Sequence, residues 1–197
     1  MDLSSVRLDE KIIYGIIEPN SKVLDLGCGD GELLHLLAKG KNVKGQGIEL
    51  SDDAIYKCVE KEVSVFHGDI DSGLVEYPGK SFDYVILNQS MQQVKKIEYV
   101  LQEALRVGRK TIVGFPNFAS IKARCMLCFG GRSPVTSSLP NYWYDTPNLR
   151  FLSIKDFKVY CRQKGMKIDQ EYYLSDKRKI SFCPNLFASS AIFVIEK

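Results

Sequence analysis

Glycine stands at every second position of a short segment, VLDLGCGDGELL, at residues 23–34. The glycines are Gly27, Gly29 and Gly31, and they follow an apolar run that contains Asp25. Because glycine lacks a Cβ, such a loop can turn tightly and let a ligand lie against its backbone. The free N–H groups at the start of the helix that follows favour an anionic group nearby. The segment therefore predicts a ligand-binding turn between a strand and a helix.

The spacing of these glycines excludes two common phosphate-binding motifs. A dinucleotide fingerprint reads G-x-G-x-x-G, whereas here the glycines run G-x-G-x-G and position 32 is Glu, an unfavourable neighbour for a pyrophosphate. No G-x-x-x-x-G-K-[ST] segment occurs, so a P-loop is excluded as well. The spacing D-x-G-x-G-x-G from Asp25 resembles instead the first motif of class I S-adenosylmethionine (SAM)-dependent methyltransferases, whose ligand has no phosphate.

Polar residues follow the next three predicted strands at positions that suit the same ligand. Glu49 ends the strand at GIEL, where a carboxylate can accept both ribose hydroxyls. The resemblance implies that Asp69, in GDI, binds the adenine amino group and that Asn88 and Gln89, in LNQ, lie beside the methionine moiety. Acids around a glycine loop also suit the sulfonium and ammonium groups of SAM. The predicted binding residues for SAM or S-adenosylhomocysteine are Asp25, Gly27, Cys28, Gly29, Gly31, Glu49, Leu50, Asp69, Ile70 and Asn88.

The hydrophobic pattern predicts a sheet that brings these positions together. Apolar strands alternate with helices five times up to Pro116, which is typical of a parallel sheet with right-handed crossovers. Two closing strands, MKIDQEYYLS and SSAIFVIEK, bring the total to seven. We expect a Rossmann-like α/β fold of the class I SAM methyltransferase type, with a seven-stranded, mostly parallel sheet and helices on both faces. In such sheets ligands bind beyond the carboxyl ends of the strands, where strand order reverses.

Local signals predict where the helices begin and end. The helix over DGELLHLLAKG is expected to end at Gly40 as its C-cap, and the helix over SDDAIYKCVEKE to begin after Ser51 as its N-cap. MQQVKKIEYVLQEALRV predicts one helix, and SIKDFKVYCRQKG predicts a helix with a capping box of Ser153 and Asp156. No linker divides the sequence, so we expect one domain over residues 1–197, with an aromatic and proline-rich insertion around 117–150.

Composition narrows the remaining classes of function. A formal charge of +3 over 197 residues is too small and too dispersed to indicate a nucleic-acid partner. No apolar run approaches the roughly 18 residues needed to span a bilayer. The N-terminal stretch MDLSSVRLDEKIIYGII carries acids within its apolar part, unlike a signal peptide. We therefore expect a cytoplasmic protein with no membrane partner.

The six cysteines are expected to be free thiols in a reducing cytosol. The single C-x-x-C pair, Cys125 and Cys128, lies in a helical-looking apolar segment. Structural zinc usually needs four ligands, and the chain has no second such pair and only two histidines. We expect no metal site, and we expect this pair to be buried as small hydrophobic residues.

Most of the chain, roughly residues 10–175, resembles one family. The likeness lies in VLDLGCGDGELL, GIEL, FDYVILNQSMQQV and EALRVGRKTIVGFPNF, and most specifically in WYDTPN following LP. These segments are similar to the methionine biosynthesis protein MetW family, which has a methyltransferase-like fold. The resemblance implies association with a homoserine O-acyltransferase of the MetX type and a role in supporting or activating O-acylhomoserine formation. It carries over the SAM positions Asp25, Gly27, Gly29, Gly31, Glu49, Asp69 and Asn88, and no catalytic residue.

Two functions stay open at this point. One is a SAM-binding partner of the acyltransferase, and the other is a genuine methyltransferase acting on a small molecule or a protein. NQSMQQ, after the fourth strand, lacks the proline and the aromatic residue typical of amino-methyltransferases that act on planar nitrogens, so no acceptor is indicated.

Two surface segments also need an interpretation. In LPNYWYDTPN, the aromatic residues Tyr142, Trp143 and Tyr144 could plug the sheet edge, form a lid over SAM, or form a protein interface. The first interpretation is favoured as much as the other two together. The basic run DKRK, at 176–179, is expected to be a solvated turn rather than a docking patch.

Overall fold

The computed structural model describes residues 6–175 and 178–197, which build an α/β fold on one eight-stranded sheet. The strands are β1 (Lys22–Leu26), β2 (Lys44–Glu49), β3 (Ser64–His67), β4 (Phe82–Asn88), β5 (Gly108–Pro116), β6 (Lys167–Ser175), β7 (Arg178–Lys179) and β8 (Ser190–Glu196). Their order in the sheet is β3-β2-β1-β4-β5-β8-β6-β7. The first five are parallel, and β8, β6 and β7 add antiparallel pairs at one side. The predicted mostly parallel sheet is confirmed.

Helices cover both faces of the sheet. They are α1 (Leu8–Ile16), α2 (Glu32–Lys41), α3 (Asp52–Glu60), α4 (Ile97–Val107), α5 (Ile121–Gly130), α6 (Ile154–Gln163) and α7 (Pro184–Phe187). Because side chains alternate along a strand, Val23 of β1 packs with apolar residues of α1, α2 and α3, and Leu24 packs with those of α4 and α6. Two hydrophobic cores therefore lie on opposite faces of the sheet.

Two details of the strands and of α2 differ from the sequence prediction. The described sheet has eight strands rather than seven because Arg178 and Lys179 pair with the end of β6 at the sheet edge. The helix α2 continues through Gly40, and Asn42, with φ of 53°, forms the left-handed C-cap. Gly40 instead allows close helix packing, since a Cβ there would overlap the ring of Tyr14.

The predicted single helix over residues 91–107 is also wrong. Residues Met91–Gln93 form a 3-10 turn, Val94 is extended, and α4 begins only at Ile97. The carboxylate of Asp71 accepts hydrogen bonds from the backbone N–H groups of Lys95 and Lys96 at 2.9 and 2.6 Å. These bonds hold the backbone before α4 out of the helix.

The predicted N-caps are confirmed. Ser51 Oγ accepts a hydrogen bond from the N–H of Ala54, and the capping box of Ser153 and Asp156 is complete at the start of α6. Each cap satisfies N–H groups that have no partner within the helix. These caps show that local sequence alone determines where α3 and α6 begin.

The helix α5, within the predicted insertion, is exposed along nearly its whole length. Only Ala123 is buried among its ten residues. The prediction that Cys125 and Cys128 are buried is therefore wrong, since both are exposed. No group of three or more His, Cys, Asp or Glu side chains in the described part of the chain is arranged to hold a metal.

The strand order reverses at β1, which lies between β2 and β4. Asp25 of β1 is in register with Gly47 on one side and Ile86 on the other. The carboxyl ends of these three strands therefore lie side by side, where ligands bind in open parallel sheets. Within residues 6–175 and 178–197, no helix has the length and apolar character needed to cross a membrane.

Candidate functional site

The turn between β1 and α2 holds its three glycines in left-handed conformations. The φ angles of Gly27, Gly29 and Gly31 are 76°, 56° and 75°. A Cβ on Gly27 would lie 2.8 Å from Ser90 Cβ, and one on Gly31 would lie 2.9 Å from Cys58 Sγ. A Cβ on Gly29 would meet no atom within 4 Å. The turn is thus closed by packing at both ends and open to a ligand at its middle glycine.

Glu49, at the end of β2, is bonded directly to this turn. Its Oε2 accepts a hydrogen bond of 2.8 Å from the N–H of Gly29. Its Oε1 accepts bonds of 2.8 and 3.0 Å from the N–H groups of Leu50 and Ser51. A carboxylate offers about four acceptor positions, so one remains, on Oε2. The side chain is therefore fixed in place while it can still accept a ribose hydroxyl.

Asp25 lies buried behind the turn and receives no hydrogen bond from the described residues. Burial, together with the negative charges of Glu49 and Glu10, raises the pKa of its carboxyl to about 7. A cationic group bound nearby would favour the ionised form instead. The environment of Asp25 thus suits a ligand that carries positive charge.

Asn88, at the end of β4, joins the site to α1. Its Nδ2 donates a hydrogen bond of 2.9 Å to Asp9 Oδ2, and Arg7 Nε donates one of 3.1 Å to Asp9 Oδ1. The Oδ1 of Asn88 is buried and has no hydrogen-bond partner within the described chain. A buried acceptor left without a donor costs free energy. This oxygen lies against Gly114 of β5, in the space that a Cβ there would occupy.

Sequence reasoning missed the buried acids of α1. Asp9 and Glu10 are both buried in the first turn of the helix, and burial raises the pKa of Glu10, while Arg7 acts in the opposite direction. Acids in a first helical turn are common because they complement the helix dipole, so their presence there does not by itself indicate a functional site. The available signal was their position inside an apolar stretch, RLDEKII.

The predicted adenine end of the site is more open. Asp69 is exposed and accepts a hydrogen bond of 2.9 Å from the N–H of Asp71, which caps a short 3-10 turn. Leu50 is 61% exposed, and the half-buried Ile70 packs against the core. These residues lie beyond the ends of β2 and β3, and no hydrogen bond within the described residues links their side chains to the glycine turn. An exposed apolar side chain can pack against the face of a flat ring such as adenine, and a neighbouring acid can accept a hydrogen bond from the edge of that ring.

The side chain of Cys28 is directed into the protein. Its Sγ lies 4.0 Å from Cys58 Sγ, and burial raises the pKa of the Cys28 thiol. The N–H groups of Gly27 and Cys28 both donate to the carbonyl of Ile48, at 2.8 and 3.3 Å. Cys28 therefore supports the shape of the turn from behind.

A polar cavity of about 840 Å³ lies beside this site. It is enclosed by the start of α1, the 3-10 turn after β4, and the loop over residues 137–148. The buried side chain of Gln92 donates a hydrogen bond of 2.8 Å to the carbonyl of Gln89, while its own backbone carbonyl accepts from the N–H groups of Leu149 and Arg150. The polar residues lining the cavity are Arg7, Asp9, Lys11, Gln89, Gln92, Gln93, Ser137, Ser138, Asn141, Asn148, Ser189 and Ser190.

The aromatic residues of the insertion project into solvent. Tyr142, Trp143 and Tyr144 are 54%, 76% and 68% exposed. The rings of Tyr142 and Tyr144 stack on each other with centroids 5.5 Å apart. The interpretation of this segment as a plug of the sheet edge is therefore wrong.

A family model described as methionine biosynthesis protein MetW matches residues 7–195. The chain belongs to the MetW family. A curated relative, the bifunctional methionine biosynthesis protein MetXA/MetW of Rhodopirellula baltica, is 33% identical over 206 residues. The match covers 98% of this chain and 33% of the relative, so the chain spans about a third of the relative's length.

Solved structures with the same fold include SAM-dependent methyltransferases. One from Thermotoga maritima has a TM-score of 0.67 at 17% identity, covering 96% of this chain and 88% of that chain. One from Archaeoglobus fulgidus has a TM-score of 0.66 at 18% identity, covering 96% and 91%. The predicted class I methyltransferase-like fold of this MetW-family chain is confirmed.

The MetW-family fold brings the predicted residues to one edge of the sheet, with different degrees of contact. Asp25, Gly29 and Glu49 are joined by a hydrogen bond or by charge, and Asn88 reaches α1 instead. Asp69 stands apart on its own turn. The arrangement can hold a cationic, ribose-containing ligand, whereas no described residue stands out as a catalytic base.

Proposed function

We propose that this chain binds SAM and acts with a MetX-type homoserine O-acyltransferase to support or regulate the formation of O-acylhomoserine. The observation that carries the proposal is the Glu49 carboxylate, held 2.8 Å from the N–H of an open glycine turn, in a chain of the MetW family. The name of the curated relative joins MetXA to MetW, which supports the choice of partner.

In this proposal each part of SAM has a matching group. A ribose hydroxyl donates to the free acceptor position of Glu49, and the adenine lies against Leu50 and Ile70 with its amino group toward Asp69. The methionine moiety lies beside Asn88, at the end of β4. Gly27, Cys28, Gly29 and Gly31 provide the bare backbone, and the ionised Asp25 balances positive charge.

SAM binding gives the protein a way to report the state of the pathway. SAM is made from methionine, and the acylation of homoserine is an early step toward methionine. A coupling free energy of about 1–3 kcal/mol between the SAM site and the partner site is enough for such a sensor. The proposed role is therefore regulatory and needs no methyl transfer.

The first experiment is homoserine acylation by the cognate acyltransferase, with and without this protein, across a SAM titration. We expect the protein to change the acylation rate and SAM to modulate that change. Glu49→Ala is expected to remove the SAM dependence. An acylation rate that ignores the protein at every SAM concentration contradicts the partner role.

The polar cavity favours a second candidate, a genuine methyltransferase. The cavity of about 840 Å³ adjoins Asp9 and Asn88 and has room for a small polar acceptor. Transfer of labelled methyl from SAM to a pathway metabolite or to the acyltransferase would establish this activity. Unlabelled products under conditions in which SAM binds leave the regulatory role as the better explanation.

We also propose that the chain is one domain with a cytoplasmic location. The continuous sheet, which includes strands from both ends of the described chain, supports a single domain. Cys28 and Cys58 are free thiols although their sulfur atoms are only 4.0 Å apart, and free thiols are typical of a reducing compartment. Fractionation of cells that express the protein tests the location.

A further inference from the structure

The helix α5 exposes apolar residues that a stable helix normally buries. Phe129 is 86% exposed, Leu127 is 44% exposed and Ile121 is 42% exposed. Only Ala123 of this helix is buried. Large apolar residues of a surface helix usually face the core of the domain, so α5 leaves three of them uncovered within the described chain.

A groove runs from the start of α5 to the segment that precedes β8. It has a volume of about 530 Å³ and a mixed lining of four apolar, three basic and six Ser or Thr residues. The apolar ones are Ile121, Ile180, Phe182 and Phe187. Phe182 is 74% exposed, and its ring stacks on that of Phe187 with centroids 6.0 Å apart. We call this concave surface the α5 groove; the two aromatic rings and Ile121, at the start of α5, belong to its apolar part.

The charge around the α5 groove has a single sign. Its described lining contains three basic residues and no acidic one, namely Lys122, Arg178 and Lys179. The whole chain is nearly balanced, with 27 Lys+Arg against 24 Asp+Glu. The charge of the α5 groove is therefore basic and is complementary to an acidic partner.

We propose that the α5 groove is the docking site for the MetX-type acyltransferase, through a segment that presents apolar side chains flanked by acids. This inference rests on the proposed function, since it names the surface at which the partner of that function binds. A concave apolar centre with a charged rim is typical of protein–protein interfaces, in which apolar anchors fill pockets. A bilayer is a flat partner and would leave the inside of the groove unfilled.

The groove also changes the interpretation of the basic run at 176–179. Asp176 and Lys177 lie outside the described residues, whereas Arg178 and Lys179 form β7 and are exposed beside the groove. The expected solvated turn is thus, in its second half, part of a docking surface. Lys179 also lies over the ring of Tyr172, at 5.3 Å from its centroid, which fixes its charge near the groove.

The test measures binding of the full-length chain to the cognate acyltransferase by isothermal titration calorimetry. Two variants alter the groove, Phe182→Asp and the double variant Arg178→Glu/Lys179→Glu. Each has a matched control on another surface, since Trp143 is 76% exposed against 74% for Phe182, and Lys95 and Lys96 form an exposed basic pair. The controls are Trp143→Asp and Lys95→Glu/Lys96→Glu.

We expect both groove variants to raise Kd at least tenfold and both controls to change it less than twofold. Affinity should also fall as salt is raised from 50 to 300 mM, because the rim contacts are ionic. Unchanged urea midpoints show that the exposed substitutions leave the fold intact.

Each failure has its own signature. Absence of any binding by the wild-type chain overturns the partner role and, with it, this docking site. Tight wild-type binding that survives both groove variants overturns the docking site alone, and so does binding lost only with Trp143→Asp. Groove-dependent binding to vesicles containing phosphatidylserine, without binding to the acyltransferase, assigns the surface to a membrane and also contradicts the proposal.

Discussion

At the scale of single residues, Glu49 connects the shape of the site to its charge. Its carboxylate accepts three backbone N–H groups, one from the glycine turn and two from the start of the segment leading to α3. Hydrogen bonds to an ionised group are shorter and stronger than those between neutral groups. Glu49 thus holds the mouth of the proposed site open and supplies its acceptor oxygens.

We expect Glu49→Ala to weaken SAM binding about 10- to 100-fold, because hydrogen bonds to a charged acceptor contribute about 1.5–3 kcal/mol. Isothermal titration calorimetry measures the change, with Glu62→Ala as the control, since Glu62 is exposed on the loop after α3. Equal affinity in Glu49→Ala and wild type would remove Glu49 from the proposed site. Glu49→Gln is expected to fall between the two because it keeps one acceptor oxygen.

Asp25 predicts a specific pH dependence of stability. Its pKa of about 7 in the folded protein exceeds the ordinary value of 3.8, so the folded state holds the proton more tightly than the unfolded state. The free energy of unfolding should therefore fall as pH rises from about 4 to about 7, by on the order of 3 kcal/mol, and Asp25→Asn should remove this decline. Urea denaturation from pH 4 to 8 measures it.

The comparison between wild type and Asp25→Asn isolates this residue. Glu10, whose pKa is also raised by burial, contributes a decline of the same sign to both proteins. Parallel stability curves for the two proteins across this range would show that Asp25 titrates normally.

The residues that sequence could identify are those that follow a strand. Asp25, Glu49 and Asn88 were found because parallel strands end at one edge, so a polar residue at each end is informative. Asp9 could not be found in this way, since it approaches Asn88 from a helix 79 positions earlier in the chain. Such a contact depends on how α1 packs across the sheet, which no local pattern encodes.

At the scale of elements, the glycine turn is tightly packed at Gly27 and open at Gly29. Gly27 is pressed against Ser90, whose Oγ donates a hydrogen bond of 2.7 Å to the carbonyl of Leu26. Gly29 faces open space. Glycine is therefore required by packing at position 27, whereas at position 29 it leaves open space, where the proposed function places the ligand.

Two alanine substitutions separate these roles. Gly27→Ala should lower the free energy of unfolding by about 2–4 kcal/mol, since it adds a steric overlap to the cost of a left-handed conformation. Gly29→Ala should cost only about 1–2 kcal/mol yet weaken SAM binding clearly, because its methyl group lies where the ligand would approach. Urea denaturation and calorimetry together measure both effects. Similar stability losses with unchanged SAM affinity would mean that Gly29 does not face the ligand.

Element boundaries were predictable only where the signal is local. Ser51 and Ser153 cap α3 and α6 as expected, because the cap bonds span three residues. The start of α4 was not predictable, since the carboxylate that holds the preceding backbone belongs to Asp71, 25 residues before Lys96. In the sequence, Gly40 likewise predicts the end of a helix. In the fold, its missing Cβ instead makes room for the ring of Tyr14.

At the scale of the whole molecule, one sheet connects the elements around the proposed site with those around the α5 groove. β5 continues from the parallel core into the insertion that carries α5, and β8 pairs with both β5 and β6. The proposed SAM site and the α5 groove therefore belong to one continuous framework. The alternation of strands and helices in the sequence predicts this architecture. The exposure of α5 could not be predicted, because apolar residues in a helix normally indicate burial in the core.

SAM binding should stabilise the entire fold. At 100 times its Kd, a ligand that binds only the folded state adds about 2.7 kcal/mol to the free energy of unfolding. For a domain of this size, that corresponds to a rise in Tm of about 5–10 °C. Differential scanning fluorimetry measures the rise in Tm. ATP is the control, because it shares the adenine and ribose of SAM but carries negatively charged phosphates, which the acids of the proposed site would repel. Equal shifts with both ligands would indicate a general nucleotide site.

The contact between Gly47 and Cys28 has a consequence for how the sequence can vary. Gly47 of β2 has no room for a Cβ, because Cys28 Sγ occupies that space from the glycine turn. A larger residue at 47 is compatible with the fold only when position 28 shrinks, and a larger residue at 28 needs glycine at 47. Evolution should therefore have changed these two positions as a pair, and a library that randomises both should recover small residues at one position whenever the other is large.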